Sequence, residues 1–190
     1  MAKGIFCLES DWIFNSSLEL LSKTTIEPML EFLNKHEKIQ YVYRKVATRT
    51  ELSFCLNQLK KTENAFQIVY LSFHGRSQKV YLAGEAKKNS AVTLDELAAL
   101  AKGAFKNKYI HFSSCETFIG SEDIFEKFKK KTGALNVSGY TTEVNYTLSA
   151  ILDIAWFNEL NKVRTNVDNA NKSFLKKYSG LVEELGFKIY

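Results

Sequence analysis

Two apolar stretches of the chain decide its fold: FQIVYLSFHG at residues 66–75 and KYIHFSSCETFIG at residues 108–120. Each has the length and the β-branched and aromatic content of a buried strand. The first turns polar at a His-Gly pair, and the second turns polar at Ser-Ser-Cys. A strand that reaches the surface of a protein typically ends in this way, so we expect both stretches to stop at an edge of a sheet.

The two strand ends carry His74 and Cys115. In an open α/β sheet, ligands bind just past the carboxyl ends of the strands, and a thiol beside an imidazole is a nucleophile with its base. His111 lies four residues before Cys115 in the same predicted strand. At ~3.3 Å per residue the two are about 13 Å apart, too far for proton transfer. Cys7 and Cys55 fall within a predicted strand and a helical stripe, so both are expected to be core cysteines.

The rest of the chain alternates strands with helices. The predicted strands are residues 4–8, 40–46, 66–73, 109–113, 135–140 and 186–190, with a hairpin arm at 79–82, and the helices lie near 26–33, 52–59, 94–101, 124–128 and 148–160. Thr24 and Glu27 are placed as a capping box for the first helix. This order predicts an α/β three-layer sandwich, a mostly parallel sheet of about six strands with helices on both faces. We expect one domain, residues 1–190.

The order of short motifs resembles the CHAT family of caspase-like (clan CD) cysteine peptidases. The chain reads YLSFHG, then VTLDELAAL, then HFSSCETFIG, similar to the family's strand-H-G, L-T-x-x-E-L and S-A-C-E-T-G. The resemblance begins near Phe66 and runs to the end of the chain, and its most specific part is the Ser-x-Cys-Glu-Thr string. Ser114 stands where the family often has Ala. Phe118 stands where the family usually has Gly, which bears on the shape of the loop after the cysteine.

The resemblance implies a caspase-haemoglobinase-like fold and a cysteine endopeptidase that hydrolyses peptide bonds in a protein substrate. Cys115 would be the nucleophile and His74 its base, and the backbone amides of Gly75 and Cys115 would hold the oxyanion. No cofactor is implied, and the partner is a protein or peptide substrate. Three charged residues are close enough in sequence to shape the pocket for the residue before the cut: Glu116, Arg76 and Glu143.

Two other functions stay open at this point. The first is a catalytically inactive CHAT-like module that binds a partner peptide. The second is an unrelated α/β domain for a nucleotide or nucleic acid, suggested only by the net charge of +5. The lysine run at 127–131 ends a predicted helix, where lysines favour the helix dipole, and arginine, which phosphate recognition prefers, is scarce. A nucleic-acid partner is therefore not favoured.

Two segments are predicted to be mobile loops, residues 76–78 just past His74 and residues 118–121 just past Cys115, and the polar tract at 85–91 is predicted to be unstructured. Loops of this kind shape the substrate cleft of a rigid α/β scaffold. We therefore expect the isolated chain to be poorly active and to depend on a separate regulatory protein.

Composition points to a cytoplasmic location. The chain has three cysteines and no C-x-x-C motif, which suits a reducing compartment. The apolar run among its first residues is too short for a signal peptide. No stretch approaches the ~20 apolar residues of a membrane span. The cysteines and histidines lack metal-ligand spacing, so no metal is expected. The sequence leaves the oligomeric state open.

Overall fold

The computed structural model describes residues 3–11, 25–62, 64–163 and 166–190. Its central sheet has the strand order β2-β1-β3-β7-β8-β9. All neighbouring strands in it are parallel except β8 and β9, which are antiparallel. The strands are β1 (Gly4–Glu9), β2 (Tyr41–Lys45), β3 (Phe66–Ser72), β7 (Tyr109–Phe112), β8 (Asn136–Tyr140) and β9 (Phe187–Ile189).

Helices cover both faces of this sheet, which confirms the predicted α/β three-layer sandwich. One core lies beneath α2, α3 and α4, and we call this side the α2–α4 face. The other lies beneath α1, α5 and α6, and we call it the α1/α5 face. The helices are α1 (Glu27–Glu37), α2 (Arg49–Lys61), α3 (Leu94–Ala101), α4 (Glu122–Thr132), α5 (Tyr146–Lys162), α6 (Val167–Lys177) and α7 (Ser179–Glu184).

A smaller antiparallel sheet follows β3. It has the order β4-β5-β6, with β4 at His74–Arg76, β5 at Lys79–Tyr81 and β6 at Ala91–Thr93. The predicted hairpin arm is therefore confirmed as β5. The two residues of its turn, Ser77 and Gln78, both have positive φ, 26° and 63°, as a tight two-residue hairpin requires.

The start of α1 differs from the predicted capping box. Ile26 is the N-cap residue and makes no side-chain cap hydrogen bond, and Thr24 lies outside the described residues. The carboxylate of Glu9, at the end of β1, instead accepts from the Ile26 backbone N–H at 3.0 Å and from the Thr25 hydroxyl at 2.7 Å. A side chain from the sheet thus satisfies the orphan amide of the helix.

Helix α5 buries polar residues and exposes an apolar residue. Ile151 is 49% exposed, whereas Ser149 and Asp153 are buried. None of the described helices is long and apolar enough to cross a membrane.

Candidate active site

Strands β3 and β7 are parallel neighbours, so their carboxyl ends meet at one edge of the sheet. His74 follows the last residue of β3 by two positions, and Cys115 follows the last residue of β7 by three. Both side chains are partly exposed. They line a single cavity of about 270 Å³, together with Ile26, Ser72, Ser113, Glu143, Val144, Tyr146 and Ser149. The structure thus brings together the two residues that the sequence singled out.

Backbone hydrogen bonds hold residues 113–118, which we call the Cys115 loop, against the neighbouring strands. Ser113 N donates to Leu71 O at 2.9 Å, which continues the ladder towards β3. On the other side, Glu116 N donates to Thr142 O at 2.9 Å, and Phe118 N donates to Tyr140 O at 2.9 Å. The cysteine is therefore presented by a loop fixed at both ends.

The bulk of Phe118 points away from the cavity. Its side chain is 1% exposed and lies within the core of the α2–α4 face. Its ring stacks on Phe125 with centroids 4.5 Å apart. Gly139 of β8 makes the room, because a Cβ built there would lie 2.5 Å from the Phe118 ring. The larger residue after the cysteine is thus absorbed by the core.

Gly75 is required by close packing against the Cys115 loop. A Cβ at Gly75 would lie 2.5 Å from the carbonyl oxygen of Cys115 and 2.1 Å from Oγ1 of Thr117. Contacts this short with backbone atoms are not relieved by a side-chain rotation. The glycine of the His-Gly pair therefore lets β4 lie directly on the loop that carries the thiol.

The direction of the Gly75 amide follows from the pairing of the hairpin. Arg76 pairs with Lys79 across the two-residue turn, and in such a turn the first carbonyl accepts from the fourth amide. Antiparallel pairs alternate between hydrogen-bonded and non-hydrogen-bonded, which makes the Gly75–Val80 pair non-hydrogen-bonded. The Gly75 N–H then points away from β5, towards the free edge of the small sheet.

The hairpin turn is bonded to the Cys115 loop and to the residue after it. Gln78 N donates to Thr117 O at 3.0 Å, and Gln78 Nε2 donates to Ile119 O at 3.1 Å. The second of these bonds joins two segments, 76–78 and 118–121, that the sequence predicted to be mobile. The histidine and the cysteine are thereby carried by elements that contact each other directly.

A row of polar side chains, which we call the floor row, lies at the carboxyl ends of three strands, and two of them, Ser72 and Ser113, form the floor of the cavity. Along β1, β3 and β7, alternate residues face the α1/α5 face, and the last such residues are Glu9, Ser72 and Ser113. Glu9 is paired in register with Ser72, and Ser113 comes next in the register that pairs β3 with β7. Ser72 is fully buried, and its hydroxyl has no hydrogen-bond partner among the described residues.

Asp153 lies beneath this floor and was not predicted as a site residue. It is 0% exposed and accepts hydrogen bonds from Tyr70 Oη at 2.7 Å, from Ser113 Oγ at 2.9 Å and from Tyr140 Oη. His111 Nε2 donates to Oδ1 at 2.7 Å, the oxygen that Tyr140 also contacts, whereas Tyr70 and Ser113 bond to Oδ2. Burial alone raises the pKa of Asp153, but the charge and hydrogen bond of His111 and the tyrosine hydroxyls outweigh burial and hold the pKa below its usual value.

His111 belongs to this buried network and is not among the residues that line the cavity. Its ring is 0% exposed and stacks on Tyr70 with centroids 5.6 Å apart. Its Nδ1 lies 2.9 Å from Ser138 Oγ, which also accepts from Trp156 Nε1 at 3.0 Å. The network therefore ties β3, β7 and β8 to α5, directly under the site.

The three charged pocket candidates lie in different places. Glu143 lines the cavity at its rim, since its side chain is exposed. Arg76 is exposed at the end of β4, and Glu116 is half-buried in the Cys115 loop with φ of 52°. Neither of these two is among the residues that line the cavity.

The other two cysteines are buried in the core, as predicted. Burial raises the pKa of the thiols of Cys7 and Cys55, which keeps them protonated and unreactive at neutral pH. Among the described residues, no group of three or more His, Cys, Asp and Glu side chains is arranged to hold a metal ion.

Fold and site together define an α/β protein with a cysteine and a histidine at the carboxyl edge of adjacent parallel strands. The chain belongs to a family of unknown function, DUF6642, whose model matches residues 2–190. No curated protein matches the chain.

Proposed function

We propose that this protein is a cysteine endopeptidase in which His74 and Cys115 act as base and nucleophile. One observation carries the proposal: the two side chains line the same cavity of about 270 Å³ at the ends of neighbouring parallel strands. The order of motifs around them, similar to that of CHAT and other caspase-like peptidases, supports the same conclusion.

The reaction is acyl transfer followed by hydrolysis. His74 takes the proton of the Cys115 thiol, and the sulfur attacks the carbonyl carbon of the scissile peptide bond. The carbon–nitrogen bond breaks as the imidazolium of His74 gives its proton to the leaving amine, which leaves a thioester on Cys115. Water, deprotonated by His74, attacks the thioester, releases the carboxylic acid and restores the thiol.

The oxyanion of each tetrahedral intermediate needs backbone donors. The Gly75 amide, which points to the free edge of the small sheet, and the amide of Cys115 are the two donors in our proposal. Removal of one donor of this kind typically costs about 10²- to 10³-fold in rate. Because Gly75 packs on the Cys115 carbonyl, both donors move with the loop that carries the nucleophile.

A peptidyl acyloxymethyl ketone tests the dyad, because an activated thiolate displaces its carboxylate and forms a thioether. We expect such compounds to add one peptidyl mass at Cys115 of the wild type and none to Cys115→Ala. His74→Ala should react about 100-fold more slowly or worse, since it lacks the general base. Mass spectrometry of the intact protein and its digest measures all three.

Cys55→Ala is the matched control and should label like the wild type, since Cys55 lies in the core. Unchanged labelling of His74→Ala, or modification of a cysteine other than Cys115, would contradict the proposal. If none of the compounds modifies Cys115, the result would favour the alternative function, a catalytically inactive module that binds a peptide.

Regulation by a separate protein is part of the proposal. Gln78 of segment 76–78 is bonded to the Cys115 loop and to Ile119 of segment 118–121, so a partner that holds one segment also holds the other. We expect the purified chain, in reductant at neutral pH, to turn over a mixed peptide library poorly. Robust turnover by the chain alone would exclude this dependence. The free thiol nucleophile fits a cytoplasmic, reducing location.

A further inference from the structure

We propose that the cavity beside Cys115 binds a basic side chain, lysine or arginine, of the residue that precedes the scissile bond. This inference rests on the proposed peptidase function and names the substrate class of the same site. It depends on the hydroxyl groups of the floor, on the charges around them and on the apolar walls.

Two hydroxyls that line the cavity present oxygen acceptors to it. Ser113 Oγ donates its proton to Asp153 Oδ2 at 2.9 Å, and Ser149 Oγ donates its proton to Tyr146 O at 3.1 Å. A hydroxyl has a single proton to donate and keeps lone pairs, so both face a ligand as acceptors. They therefore select a ligand group that is rich in donors, such as an ammonium or a guanidinium group.

The hydroxyl of Ser72 supplies the independent sign of a ligand. It is fully buried, it belongs to a residue that lines the cavity, and it lacks a hydrogen-bond partner within the described residues. A buried polar group without a partner costs free energy, and such a group in a cavity wall is satisfied when a donor or acceptor of the ligand reaches it.

Charge decides between a cationic and an anionic ligand. Glu143 lines the rim of the cavity. Glu9 is the register neighbour of Ser72 in the floor row. The carboxylate of Asp153, beneath the floor, is already paired with the buried His111. Glu143 and Glu9 are therefore the acids that act on a ligand. A carboxylate ligand would face these acids across acceptor hydroxyls and be repelled, whereas a cation would be attracted.

The two helix N-termini beside the cavity do not reverse this preference. Amides at a helix N-terminus commonly bind anions. Here the Ile26 N–H of α1 is taken by Glu9, and the Thr147 and Leu148 amides of α5 are taken by Asn145 Oδ1 at 2.9 and 3.1 Å. These amides are therefore already satisfied by the chain itself.

The walls suit the stem of a long basic side chain. Ile26, Val144 and the ring of Tyr146 line the cavity above the floor. Lysine and arginine bury their methylene stems along apolar surface and extend the charged head to polar groups. A lysine or arginine would lay its stem on these walls and place its head at the floor, near Ser72 and Ser113, while Glu143 attracts the cation from the rim.

The first test uses acyloxymethyl ketones that share one peptide body and differ in the residue next to the reactive group: Lys, Arg, Leu or Asp. We expect the Lys and Arg compounds to label Cys115 at least about tenfold faster than the others, the effect of one charge-assisted hydrogen bond. Glu143→Gln and Ser72→Ala should each reduce this ratio. Glu184→Gln, which removes an exposed acid of α7, should leave it unchanged.

The second test needs no chemistry at Cys115. In Cys115→Ala, titration with N-acetyl-arginine amide should shift the NMR signals of Ser72 and Ser113, and N-acetyl-aspartate amide should not. Such shifts support the basic-residue pocket even if Cys115 of the wild type does not react. An unreactive Cys115 would contradict the proposed peptidase function and leave the pocket standing. Faster labelling by the Leu or Asp compound, with no arginine-amide shifts, overturns the pocket and leaves the peptidase standing.

Discussion

The two faces of the central sheet bury cores of different chemistry. On the α2–α4 face, a large cluster of aliphatic and aromatic side chains lies beneath the helices, and the buried hydroxyl of Thr132 bonds to the backbone of its own helix. On the α1/α5 face, the interior also holds Asp153, His111 and Ser138, each fully or almost fully buried. Only the second core reaches the cavity, through the hydrogen bond from Ser113 to Asp153.

This difference suggests separate roles for the two cores: one stabilises the sheet, and the other positions the residues of the cavity. An apolar core tolerates side chains of similar volume, because dispersion and burial do not depend on direction. A buried carboxylate that accepts four hydrogen bonds requires every donor to stay where it is. The α1/α5 face therefore fixes the floor of the site, while the α2–α4 face holds the sheet together.

The largest expected effect comes from matched swaps of similar shape on the two faces. Asp153→Asn keeps the shape but removes the charge that four donors satisfy, so we expect the free energy of unfolding to fall by about 3–5 kcal/mol. Leu56→Met, in the core of the α2–α4 face, should cost under about 1.5 kcal/mol. Urea unfolding measures both, and equal losses would contradict the contrast between the faces.

A smaller contrast lies within the floor row itself. Ser113→Ala removes a hydrogen bond to a buried carboxylate and should cost about 1.5–3 kcal/mol. Ser72→Ala removes a buried hydroxyl without a described partner, so stability should stay the same or rise by about 1 kcal/mol. A substantial loss of stability in Ser72→Ala would mean that its hydroxyl already has a structural partner.

The smallest effect is a change of slope in acid. The pKa of Asp153 is lowered in the folded protein, so its charge contributes stability above the unfolded pKa of about 3.9, and this contribution is lost as pH falls through the folded pKa. The stability difference between wild type and Asp153→Asn should be constant near neutral pH and shrink below about pH 4. Urea midpoints measured across this range test it, and a constant difference would contradict the assignment.

Sequence patterns were sufficient for the layers of the fold. The apolar runs of β3 and β7, ending at His-Gly and Ser-Ser-Cys, predicted both strands and the edge where His74 and Cys115 lie. Parallel strands joined by helices leave few topologies, and right-handed connections reduce them further. The sequence alone therefore predicted the two residues at this edge of the cavity.

The sequence did not predict the buried hydrogen-bond network around Asp153. Asp153 lies one residue from Leu152 in an apolar helix, and only the rotation of α5 on the sheet shows that it faces inward. Phe118 raised the question of a distorted loop, which depends on Gly139, a residue of a different strand. Both facts depend on contacts between distant segments, which periodicity does not report. The floor row could have been found from the alternation of residues along three strands, in which Glu9 follows Cys7, Ser72 follows Tyr70 and Ser113 follows His111 on the same face.

Because Ser72 of the floor row lies at the end of β3, the number of residues in β3 determines which side chain faces the cavity. Val69, Tyr70 and Leu71 are all fully buried, so hydrophobicity alone does not fix which of them faces which side. A single inserted residue within β3 would keep a buried apolar strand, yet it would move Ser72 to the α2–α4 face and bring Leu71 to the cavity. Related chains that keep this floor should therefore vary in the composition of β3 far more than in its number of residues.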